Sequence, residues 1–102
     1  MMSEQVKSFN EVVEEHIETL DLYTNAITRA HGQSHPEAFK VRELFEKING
    51  KVKEAGTDKP HLDEEFTELR QVTSDYAIPS DVCGTYEGTY KMLAELDQAY
   101  HA

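Results

Sequence analysis

Five histidines and one cysteine are the side chains of this sequence best suited to hold a metal or move a proton. His61 and Glu65 stand four apart. On a helix that spacing puts an imidazole and a carboxylate on one face, where both can reach one metal. Near the other end, Asp97 falls close to the inner face of a helical wheel, where a carboxylate is costly unless something neutralises it. His101 lies one turn further on. Counting the rise along antiparallel helices sets His16 level with Asp97, and His101 level with Asn10 and Glu11. The candidate metal ligands are therefore His16, His61, Glu65, Asp97 and His101, gathered at one end of a bundle. A hard or borderline ion needs four or more converging donors, so no tight metal site is expected here, at most an altered one that holds a single ion weakly.

The remaining candidates have plainer readings. His31 sits at the centre of an apolar helical stripe and reads as a packing or capping residue. His35, beside Pro36, reads as a turn residue. His61 and Glu65 also fit a solvated pair in a first helical turn. Cys83 reads as a small packing residue, since no histidine is placed by the sequence to activate it. Gly84 and Gly88 form G-x-x-x-G on an outer helix face, where a second helix can approach closely. No serine or cysteine lies in a recognisable nucleophile turn, so no enzymatic role is expected.

Four amphipathic segments must position these residues. Val6, Phe9, Val13, Ile17, Leu20, Thr24 and Ile27 follow steps of three and four, the helical period, and predict a helix over about 4–31 that Gly32 ends. "SHPE" opens a second over about 35–55, with Ser34 and Glu37 as a capping box and Pro36 in the first turn. Its stripe is Ala38, Val41, Phe45, Ile48 and Val52. Thr57 or Asp58 caps a third over about 59–76, which Pro79 stops. Ser80 caps a fourth over about 81–101, with Val82, Tyr86, Leu93, Leu96 and Tyr100 inward. No stretch alternates like a strand. The fold expected is all-α, a single antiparallel up-down-up-down four-helix bundle spanning 1–102. Leu20, Ile27, Phe45, Ile48, Phe66, Leu69, Leu93 and Leu96 are expected to form its core.

The chain has 102 residues and a formal charge of -10. Such an acidic surface repels nucleic acid and anionic membranes, so neither is expected as a partner. No 18-residue apolar run and no basic-then-apolar leader occurs, and the single cysteine forms no internal disulfide. A cytoplasmic protein is expected.

"HGQSHPE" and "TSDYAIPSDVCGTYEGTYKMLAELDQAYHA" carry a resemblance. With His31, Gly32, His35, Pro36 and Glu37 in the first stretch, and Thr73, Asp75, Tyr76, Pro79, Asp81, Cys83, Thr85 and Tyr86 in the second, the chain resembles the hemerythrin-like di-iron family that repairs iron–sulfur clusters. The resemblance implies a four-helix bundle and a function in restoring clusters damaged by nitric oxide or oxidants, a stress response. It also implies two irons held between the helices: two helices give one histidine each, and two give a His and Glu at i, i+4. Set against that pattern, Asn10 stands near the first helix's ligand position. "KINGKVKEAG" in the second helix has no histidine. The fourth helix's pair falls just past His101. The chain is thus expected to be a truncated or degenerate relative without a complete di-iron site, and no cofactor is expected in it. The competing expectation is a metal-free acidic bundle that binds a protein partner, including a second copy of itself.

Overall fold

The computed structural model describes residues 8–102. Among these there are four helices and no strand: α1 (Phe9–His31), α2 (Glu37–Ala55), α3 (Asp63–Thr73) and α4 (Gly84–Tyr100). The expected start of α1 near Glu4, with Val6, lies outside the described residues. Within them α1 opens on Ser8, whose hydroxyl accepts from the Glu11 amide while the Glu11 carboxylate accepts from the Ser8 amide, a complete capping box.

Three other helix starts differ from expectation. Ser34 does not cap α2; Pro36 holds the cap position, and the Glu37 carboxylate is taken by His35 instead. Neither Thr57 nor Asp58 caps α3. The chain stays non-helical through Leu62, which is buried in the core while its amide donates to the Tyr100 hydroxyl at 2.8 Å. Asp63, Glu64 and Glu65 then supply negative charge to the first turn, where the helix dipole favours it. Cys83 rather than Ser80 stands at the cap position of α4.

The end of α3 also has a different cause. It stops at Thr73, well before Pro79, because Ser74, Asp75 and Tyr76 take φ values of 54°, 60° and 63°. Left-handed backbone is unfavourable for residues with a side chain, by about 1–2 kcal/mol each. Local bonds hold it: the Asp75 amide donates to Arg70 O at 2.8 Å, the Tyr76 amide to Thr73 Oγ1 at 2.8 Å, and the Ala77 amide to Thr73 O at 3.0 Å.

All eight expected core residues are buried, joined by Phe9, Val12, Val13, Val41, Leu44, Tyr86 and Tyr90 among others. Full burial of such side chains stabilises by roughly 1.5–3 kcal/mol each. α1 packs against both α2 and α4, and α2 against α3. Between α3 and α4 long side chains do the bridging. Phe66 and Tyr100 meet at 5.3 Å between ring centroids, and a cleft of about 500 Å³ opens beside Arg70, Tyr76 and Asp97.

Candidate functional site

Two clusters of chemically capable side chains emerge. The first joins the two sequence stretches quoted above. His31 closes α1, and the turn after it carries His35; Asp81 and Cys83 lead into α4. Tyr86, fully buried, is the platform between them: its ring lies edge-on to His31 at 5.4 Å between centroids and tilted against His35 at 5.6 Å. Its hydroxyl meets Tyr90 Oη at 3.1 Å and Glu37 at 3.4 Å. His35 is no mere turn residue. Its Nδ1 lies 3.1 Å from Glu37 Oε2 and its Nε2 3.0 Å from Asp81 Oδ1. Desolvation pulls its pKa down, but the bonds to Glu37 and Asp81 outweigh it and leave it raised. This imidazole therefore clips the start of α2 to the segment before α4.

Cys83 corrects the expectation of an inert packing residue. It is exposed, and His31 Nε2 stands 3.2 Å from its Sγ. The hydrogen bond to His31, with backbone amides at the start of α4, lowers the thiol to about 7. A thiol lowered in this way is ionised to a larger extent at neutral pH than an ordinary cysteine, and so more nucleophilic. Fifty-two residues separate the pair, so no local spacing announces it. The signal lay in both residues falling within the stretches that carried the resemblance.

The second cluster lies in the α3–α4 cleft. Asp97 is buried, with 4% of its surface exposed. Arg70 grips it with two parallel bonds, Nε to Oδ2 at 2.9 Å and Nη2 to Oδ1 at 2.6 Å. The Tyr76 hydroxyl donates to Oδ2 at 2.7 Å, and His101 Nδ1 lies 2.8 Å from Oδ1. Burial raises the Asp97 pKa, but the bonds from Arg70 and Tyr76 outweigh it and leave it lowered. Burial, then the bond to Asp97, pushes the Tyr76 phenol up.

Of the five candidate ligands, only Asp97 and His101 come together. His16 faces the other side of α4 and lies 2.8 Å from Glu95 Oε2. His61 is exposed and precedes α3, so the i, i+4 geometry with Glu65 does not exist. Glu65 is buried rather than solvated, because Lys51 of α2 reaches its Oε2 at 2.8 Å and the His61 carbonyl at 3.2 Å. Its other oxygen is buried with no hydrogen-bond partner among the described residues. Asn10 donates to the Thr57 carbonyl at 3.1 Å. Gly88 faces Tyr23 of α1, whose ring stands 3.3 Å from where a Cβ would lie, so that glycine serves packing within the chain.

Comparison with known proteins points one way. The chain is similar to the iron–sulfur cluster repair protein ScdA of two strains of Staphylococcus epidermidis. Each is 25% identical to it over 125 residues, covering 92% of this chain. The chain spans about half the length of these curated relatives, 56%. The matched stretch is longer than the chain itself, so the relatives carry residues there that have no counterpart here. No family model and no solved structure matches.

The donors present do not fit a pair of irons. Such a centre asks for about six converging side chains from four helices. Among the described residues no group of three or more His, Cys, Asp or Glu side chains stands placed to hold a metal ion. The best-buried carboxylate, Asp97, is already occupied by a guanidinium.

Proposed function

We propose that this chain is a degenerate relative of the hemerythrin-like di-iron proteins, an antiparallel up-down-up-down bundle that takes part in repairing iron–sulfur clusters after nitrosative or oxidative damage without holding a complete di-iron centre of its own. The observation that carries the reading is the similarity to ScdA along 92% of the chain. The meeting of both resemblance-bearing stretches around Tyr86 supports it, since residues distant in sequence join in one cluster. The role is not enzymatic turnover of a small substrate, and iron for repair is supplied from outside the chain. The absence of any helix long and apolar enough to cross a membrane, among the described residues, accords with action in the cytoplasm.

The test is recovery of a nitric-oxide-damaged [4Fe–4S] enzyme. With ferrous iron and a thiol supplied, adding the purified chain is expected to raise the recovered activity above that with an unrelated acidic protein. Equal recovery in the two arms refutes the repair role. It would favour the second reading, a metal-free bundle that docks a protein, for which the exposed Leu22 and Phe39 offer apolar contact.

A further inference from the structure

We propose that Arg70 does in this chain what a metal ion would do: its guanidinium neutralises the buried Asp97 and ties α3 to α4, leaving the cleft charge-complete without iron. A carboxylate has about four lone-pair directions to offer. At Asp97 three donors take three of them, Arg70 Nε and the Tyr76 hydroxyl on Oδ2 and Arg70 Nη2 on Oδ1, while His101, whose Nδ1 is bonded to the Asp97 main-chain carbonyl at 2.9 Å, stands 2.8 Å from Oδ1 and crowds the fourth. Little room is left for a further cation. A divalent ion drawn to this carboxylate would also meet the guanidinium charge a few ångströms away, and like charges repel.

Geometry gives Arg70 the second part of a metal's work, the cross-link. Backbone packing joins α1 to α2 and α4, and α2 to α3, whereas the α3–α4 cleft is spanned by side chains. Arginine has the reach, and its planar fork matches a carboxylate with two parallel bonds, which fixes orientation as well as distance. The left-handed run Ser74–Tyr76 belongs to the same device. It turns the chain so that the Tyr76 hydroxyl reaches the same carboxylate from beyond the end of α3.

This inference does not depend on the repair reading, because its test involves no cluster. The full chain is melted in metal-free buffer, with EDTA, and with excess Co²⁺ or anaerobic Fe²⁺. The midpoint is expected to stay the same in all, with no cobalt absorption from a protein site and no oxo-bridge absorption after exposure to air. Arg70→Met is expected to lower the midpoint by roughly 5 °C or more, since it leaves a buried charge uncompensated. Asp97→Asn lowers it too, and the double variant loses less than the two singles together. Arg70→Lys keeps the charge but not the fork, and recovers part of the loss. A cobalt-induced rise in the wild-type midpoint that Asp97→Asn abolishes would overturn the proposal, as would strict additivity of the two single variants. If Arg70→Met does not fold, the Arg70→Lys midpoint and the wild-type cobalt titration still decide.

Discussion

At the scale of single residues, the most consequential contact is the 3.2 Å approach of His31 Nε2 to Cys83 Sγ. An ordinary exposed thiol ionises near ~8.5 and is mostly protonated at neutral pH. Here the imidazole and the first amides of α4 stabilise the thiolate and bring the thiol to about 7. The rate of alkylation by iodoacetamide should therefore reach half its maximum near that pH. His31→Ala removes the largest cause, so the midpoint should move up by about one pH unit or more, toward the ordinary value. An identical profile in the two proteins would show that the imidazole does not act on the thiol.

At the scale of elements, the α1–α2 corner depends on Gly32 for space and not for left-handed backbone. Its φ is -56°, a value any residue adopts. A Cβ there would collide with the Thr28 carbonyl oxygen and stand 2.7 Å from the Phe39 ring. The exposed Phe39 ring can swing away, but the carbonyl belongs to the last turn of α1 and accepts the Gly32 amide at 3.1 Å. Gly32→Ala should thus destabilise by about 1–3 kcal/mol, the usual cost of forcing an extra methyl into a filled site. Urea denaturation measures it, and a neutral or stabilising result would mean that the corner relaxes freely. The same corner carries His31 and His35, so the variant should also disturb the Cys83 titration.

At the scale of the whole molecule, Phe66 ties the α3–α4 side of the core to the start of α1. Its ring meets Phe9 at 6.5 Å, Tyr100 at 5.3 Å and His101 at 6.2 Å, and it is fully buried. Phe66→Ala should cost about 3–5 kcal/mol in chemical denaturation. In a domain of this length that is a large part of the total stability. A loss under about 1 kcal/mol would mean that the cavity collapses and that Phe66 is no keystone of the core.

Helix number and the buried stripe were legible in the amino-acid order, because a 3.6-residue period survives whatever the helix packs against. Leu20, Ile27, Phe45 and Leu93 could be named from spacing alone, and all are buried. Helix ends were less legible. Caps compete with tertiary partners: Glu37 serves His35 instead of Ser34, and Leu62 enters the core before α3 begins. The candidate site was legible only in part. Asp97 lies in the last turn of α4 and His101 just past its end, four residues on, and so they were found together, whereas Arg70 and Tyr76 reach Asp97 from another helix and from a left-handed turn that no propensity favours. The pairing of His31 with Cys83 likewise exists only because α1 ends beside the start of α4. Periodicity tells which face of a helix is buried. Which charge or thiol it meets there depends on the rotation and level of its neighbours, and those are decided by packing.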